Sequence, residues 1–380
     1  MDYSQILSKQ FNIKEEYAKN IITLLDDGNT IPFIARYRKE MHGSMDDQLI
    51  REFAEKLEYL RGLDKRRDEI RSLIDAQEKL TDEINLALDK AATLSELEDI
   101  YRPYRPKRKT RASIAKEKGL EPLANDILKQ EKGFDPSKSA VDYIDEEKGV
   151  TSVEDAIQGA MDIIAELVSD NAEIRKRIRN LTNANGVLVS VATDEEKDSV
   201  YKNYYDYKEP VKKIAGHRVL AVNRGEKEGF LKVSVETDSE KPLNSIFRAM
   251  ITDKNQLCSD IIREACTDAY QRLIYPSIER EVRNDLTDTA DENAMKVFAV
   301  NLKQLLMQPP VKGKTVLALD PGYRTGCKTA VVDSTGKVLD TTGIYPTHSD
   351  KLIQESRLPL LRLLIKPQVD ICSSGYGTAS

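Results

Sequence analysis

A chain of 380 residues, 40% hydrophobic and 32% charged, holds enough apolar material for more than one core and points to two or three domains of about 100 to 200 residues each. Its formal net charge of -6 repels a polyanion over the whole molecule, so a nucleic-acid site has to be a local basic patch. Cys258, Cys266, Cys327 and Cys372 show no C-x-x-C pairing and no histidine neighbours, which argues against a zinc site and a secreted disulfide scaffold and leaves four reduced structural thiols as the expectation.

The opening MDYSQILSKQFNIKEEYAKN lacks a basic-then-apolar signal pattern, and no run approaches the roughly 18 apolar residues of a membrane span. A cytoplasmic protein with no membrane partner is expected. Residues 1–312 read as mostly helical from apolar positions recurring at three and four residues. A first helical stretch closes at Leu24 and Leu25 before Gly28, and Pro32 then opens a second with Ile31, Phe33, Ile34 and Tyr37, a helix-turn-helix outline. Ser44 with Asp47 resembles a capping box for a long helix with Leu49, Phe53, Leu57, Leu60, Ile70 and Leu73 as its stripe, longer than about 40 Å. A second box, Ser152 with Asp155, opens a helical region that closes near Gly186. Val187 to Ala192 and Gly229 to Glu236 alternate as strands, with no evident sheet around them. Helix resumes near Gln256 and runs to Leu306, bent or interrupted at Pro276, and Pro309, Pro310 and Gly313 mark a linker.

Beyond the linker the period changes. Val316 to Asp320, Cys327 to Asp333 and Lys337 to Ile344 form a meander, a helix from Asp350 to Ile365 follows, and Val369 to Ser373 is a fourth strand. Strand-strand-strand-helix-strand is the opening half of an RNase H-like α/β fold, here expected to be truncated. The expected division is a helical region with the helix-turn-helix-like module over 1–110, a helical centre with a short β excursion over 111–312, and the incomplete α/β domain over 313–380.

The strongest local cluster is YRPYRPKRKTR, residues 101–111, with Lys116 and Lys118 beyond it: eight cations against one anion, Glu117. Arg102, Arg105, Lys107, Arg108, Lys109 and Arg111 suit phosphate neutralisation, Tyr101 and Tyr104 offer ring faces, and Pro103 and Pro106 hold the segment extended. The competing reading is a basic turn paired with neighbouring acids. Arg36, Arg38 and Lys39 form a smaller set on the second helix of the turn motif, where a solvated face is the plainer reading. Asp320 ends a buried strand before PGYRTG, where it would be the first metal ligand of an RNase H-like nuclease or, in a sugar-kinase-like ATPase, the strand end before a phosphate hairpin. One carboxylate does not clamp two Mg²⁺ ions; Asp333 and Asp340 read as turn residues, and Asp370 awaits a strand register. His42, His217 and His348 are isolated, no P-loop motif is present, and no resident metal or cofactor is expected outside the nuclease alternative.

TIPFIARYRKE (30–40), LEDIYRPYRPKRKTRASIAKEKGLEPLA (97–124) and VLALDPGYRTGCKTAVVD (316–333) resemble the Tex family of bacterial transcription accessory proteins, supported in order by GAMDIIAELVSD, HRVLAVNRGEKEGFL and YPSIEREVRNDLTDTA. The resemblance spans almost the whole chain. It implies a helical N-terminal region, then a YqgF-type RNase H-like domain that lacks a full set of catalytic acids, with helix-hairpin-helix modules and an RNA-binding S1 domain beyond the present sequence. The implied function is a non-catalytic RNA-binding or DNA-binding scaffold acting near RNA polymerase or ribosome-associated transcription machinery. Two rivals stand beside it: a Mg-dependent nuclease or resolvase using Asp320, and a helical platform for protein partners.

Overall fold

Asp2 opens the first helix by accepting the Gln5 amide at 3.2 Å, as an N-cap does. The computed structural model describes residues 2–252, 254–309, 311–322, 325–346, 349–365 and 367–375, and residues 1–294 and 295–380 make two separate units. α1 (Tyr3–Phe11), α2 (Glu15–Asp26), α3 (Ile31–Tyr37) and α4 (Lys39–His42) pack on the first half of α5 (Asp47–Asp75) around Phe53. Gly28, at φ +79°, makes the turn between α2 and α3. The cap of α5 differs from expectation. Ser44 sits at φ 61° with its amide bonded back to Lys39 O, closing α4, so it lacks the extended backbone of an N-cap; Asp46 takes that role, accepting the Leu49 amide at 2.8 Å.

α5 has 29 residues and at 1.5 Å per residue is about 44 Å long. Its buried stripe is Ile50, Phe53, Leu57, Leu60, Leu63, Arg67, Ile70 and Ile74, with Leu73 outside it. Arg67 is buried because Nε and Nη2 donate to Leu88 O and Ala91 O at the end of α6 (Asp82–Lys90), and Asp64 neutralises it. With α7 (Leu94–Tyr101), α6 and the second half of α5 form a second small core.

The largest core gathers α8 (Arg111–Glu117), α9 (Glu121–Lys129), α10 (Pro136–Ala140), α11 (Val153–Asp170) and α12 (Ala172–Asn185) with helices from later in the unit. Ser152 caps α11 as expected, accepting the Asp155 amide at 3.1 Å, while the Asp155 carboxylate turns to Thr151. Both expected strands form. β1 (Val187–Ala192) lies between β2 (Asp206–Pro210) and β3 (Leu231–Glu236), all antiparallel, with Val187 opposite Pro210 and Glu236. β2 went unpredicted because DYKEP is an edge strand whose side chains alternate only between exposed and half-buried. α13 (Gly216–Lys227) covers this sheet, and α14 (Glu240–Met250), α15 (Gln256–Asp268) and α16 (Tyr275–Leu306) complete the set. Pro276 does not end the helix: residues 269–274 form a π segment just before it, which loosens the turn where proline has no amide to give.

In the second unit β4 (Val316–Asp320), β5 (Cys327–Val332) and β6 (Val338–Ile344) form the expected meander, and β7 (Ile371–Ser374) joins parallel to β4 through α17 (Asp350–Ile365), giving the order β6-β5-β4-β7. Asp333 is a turn residue, accepting from the amides of Thr335 and Lys337. The chain is thus mostly α-helical, followed by an α/β domain.

Cys258, Cys266 and Cys327 are buried and free, Cys372 is exposed, and burial pushes the Cys266 thiol up to about 12. Native protein treated with iodoacetamide at pH 8 is expected to label Cys372 fast and the other three only after unfolding; fast labelling of Cys266 would contradict the packing.

Candidate nucleic-acid interface

The basic segment leaves α7 through a 3-10 turn, Arg102–Tyr104, and enters α8 at Thr110. Thr110 and Ser113 cap one another: Thr110 Oγ1 accepts the Ser113 amide at 3.0 Å, and Ser113 Oγ accepts the Thr110 amide at 2.8 Å. Both ends of the loop are therefore fixed. Its six cations divide into two groups. Arg102 Nε lies 3.2 Å from Asp170 Oδ1; Lys107 Nζ pairs with Asp170 and sits 3.4 Å from Glu166, so both cations are held against the end of α11. Burial and the neighbouring Arg175 guanidinium pull Arg102 below the usual arginine range, with Asp170 opposing them.

Arg105 and Arg108 are exposed, and neither side chain has an ion-pair or hydrogen-bond partner among the described residues. Lys109 lies 3.9 Å from Glu117 with both side chains mostly in solvent, a pairing worth about 0–1 kcal/mol. Arg111 is exposed and near enough to Asp162 to lower its pKa, against a larger upward push from burial. Tyr101 departs from expectation: it is 6% exposed and packed in the α5–α7 core, so its ring is closed to bases.

The smaller set is not on one helix. Arg36 is in α3, Arg38 breaks the helix at φ -131°, ψ 30°, and Lys39 begins α4. Arg38 lies over the Phe33 ring at 5.2 Å; Arg36 and Lys39 are exposed. His42 is buried, with Nε2 donating to Ile34 O at 3.1 Å, His217 is exposed, and His348 lies outside the described residues.

Behind the loop a cavity of about 540 Å³ is lined by Arg102, Arg105, Lys107 and Asp170 and floored by a buried charge network. Asp99 accepts from Arg175 and Arg179 at 2.5 Å each, Arg179 also reaches Glu281 at 2.6 Å, and Arg175 donates to Ser277 at 3.1 Å. The network ties α7, α12 and α16 together. Sequence reading missed it. The available signal was two arginines at i, i+4 beside Ile174 and Ile178, in register with an apolar stripe.

Asp320 is exposed at the tip of β4. Asp370 precedes β7, where its carboxylate accepts the Thr315 amide at 2.9 Å, five residues or roughly 16 Å along the strand from Asp320. Gly375 is the residue beside Asp320, its amide donating to Leu319 O at 2.8 Å. Among the described residues Asp320 thus stands without a second carboxylate at the strand tip, and no group of three or more His, Cys, Asp or Glu is placed to hold a metal ion. Tyr323 and Arg324, in the turn after it, lie outside the described residues.

A Tex-like protein N-terminal domain matches residues 1–75, a Tex central region-like domain residues 131–298, and a Tex protein YqgF-like domain residues 314–380. The chain belongs to the Tex family. It is 45% identical over 379 residues to YdcI of Bacillus subtilis, covering 99% of this chain and 53% of that protein. It is 37% identical over 402 residues to protein tex of Bordetella pertussis, 100% of this chain and 50% of that one. S1 RNA-binding domain-containing protein 1 of Homo sapiens is 31% identical over 396 residues, 100% of this chain and 39% of that protein. The chain spans about half the length of the bacterial relatives it matches. Within this Tex-family chain the basic loop falls between the first two matched domains, and Asp320 falls in the YqgF-like one. Among the described residues no helix is long and apolar enough to cross a membrane.

Proposed function

We propose that this chain is part of a cytoplasmic transcription accessory factor and acts as a non-catalytic scaffold that binds RNA, and DNA by the same phosphate contacts. The observation that carries the reading is a pair of exposed arginines, Arg105 and Arg108, that have no partner among the described residues, on a loop fixed at both ends in a chain of net charge -6. Cations left unpaired in an acidic protein suit an external anion, and a fixed loop loses little entropy on binding one. Relatives named transcriptional accessory protein Tex, in Neisseria gonorrhoeae, and S1 RNA-binding domain-containing protein 1, in Homo sapiens, support a nucleic-acid partner. The protein partner in this proposal is RNA polymerase or ribosome-associated transcription machinery.

The test is binding of the 380-residue chain to labelled single-stranded RNA and to DNA across a salt series. Affinity falling linearly with log salt, about 0.7 per contacted phosphate on a single strand, is the expected result. No binding at low salt would reject the reading for this chain and favour the protein-interaction platform. Asp320→Asn is expected to leave nucleic acid uncut by either protein in Mg²⁺; cleavage by the wild type that the substitution abolishes would make the YqgF-like domain a nuclease.

A further inference from the structure

α12 carries cations on two faces. Arg175 and Arg179 face inward to Asp99 and Glu281, while Arg177, two residues from Arg175 and so about 200° round the helix, is exposed. α14 packs beside α12 and presents Lys241, Asn244, Ser245 and Arg248, spaced i, i+3, i+4 and i+7 on one face. These four residues, with Arg177 and Leu181, line a groove of about 440 Å³. No acidic side chain lines it. Arg177, Lys241 and Arg248 are exposed, and none has an ion-pair or hydrogen-bond partner among the described residues, whereas Arg66, Arg71, Arg272 and Arg283 of the same unit are each paired.

We propose that this groove binds the sugar-phosphate backbone of a nucleic-acid strand, as a phosphate site separate from the 101–111 loop. The inference rests on the nucleic-acid reading above. Three like charges converging without a counter-ion repel one another, and a polyanion relieves that repulsion. From Lys241 to Arg248 is seven residues, about 10 Å of helix axis, long enough to face more than one phosphate of a strand. Asn244 and Ser245 add uncharged donors for phosphate oxygens. Contacts from these side chains to phosphate oxygens carry no sequence information, so binding in the groove is expected to be indifferent to sequence. The inward arginines pin α12, so the site is formed before the strand arrives.

The experiment compares the wild-type chain, the variant Arg177→Gln, Lys241→Gln, Arg248→Gln, and a loop variant with Arg105 and Arg108 changed to Gln, using a single-stranded RNA 20-mer across a salt series. All substituted side chains are exposed, and an unchanged melting temperature confirms folding. The groove variant is expected to lower the slope of log affinity against log salt by about 2, three contacts at about 0.7 each, equally for oligouridine and a mixed sequence. Lys241 acylation, read by mass spectrometry, is expected to slow several-fold when the RNA is bound. If the groove variant keeps the wild-type slope while the loop variant loses its own, this inference is overturned and the proposed function stands. Absence of RNA binding by the wild type overturns both. Polyglutamate that protects Lys241 as well as the RNA does would assign the groove to an acidic protein segment instead.

Discussion

Asp99→Ala is expected to destabilise residues 1–294 by about 3–5 kcal/mol, the largest effect of any single side chain in the loop's surroundings. Asp99 is 5% exposed and holds both Arg175, 3% exposed, and Arg179, 9% exposed. Removing it leaves Arg175 with only a serine hydroxyl at Ser277 and places two buried guanidinium groups together without their shared anion. Glu281→Gln is expected to cost less, because Arg179 retains Asp99. Glu117→Gln, whose pair with Lys109 is solvent-exposed, is expected to change stability by less than about 1 kcal/mol. Urea midpoints at constant slope measure all three, and an Asp99→Ala protein as stable as Glu117→Gln would mean that the network is not closed as described.

Dividing the loop's six cations by their partners is expected to separate stability from binding. Arg105, Arg108, Lys109 and Arg111 neutralised together should flatten the salt dependence of RNA binding by up to about 3, four contacts at about 0.7 each, with little change in melting. Arg102 and Lys107 behave oppositely. Their charge is turned to Asp170, whose side chain is only 12% exposed, so neutralising them leaves that carboxylate half-buried and unpaired. Loss of stability with a nearly unchanged slope is expected there. Equal flattening by both sets would show that Asp170 releases its partners to phosphate.

What the sequence made legible was local. β1 at Val187–Ala192, α17 at Asp350–Ile365 and the Ser152 cap follow from alternation, helical period and a side-chain acceptor, each contained within a few neighbours. The failures needed information from elsewhere. Ser44 has the right chemistry for a cap, but the tight end of α4 had already fixed its backbone. Tyr101 sits in a segment that reads as exposed and basic, yet it is covered by the α5–α7 core, and Asp99, two residues before it, is matched by arginines 76 and 80 positions away. Half of the candidate site was therefore visible as a run of cations. Which cations are already taken depended on α11, whose acids lie more than fifty positions downstream.

The π segment before Pro276 has a consequence for angular phase. Ile262, Cys266, Tyr270, Ile274, Ile278 and Val282 are all buried at intervals of four. On a uniform α-helix each such step overshoots a full turn by about 40°, and five steps would carry the last residue to the far side. The widened turn at 269–274 absorbs part of that drift, keeping one wall of the core continuous from α15 into α16. Uniform α-geometry over the same number of residues would rotate everything that follows by about 100°, swinging Glu281 away from Arg179. A single-codon deletion inside the widened turn would thus disturb α16 less than the same deletion in the uniform helix between Pro276 and Glu281.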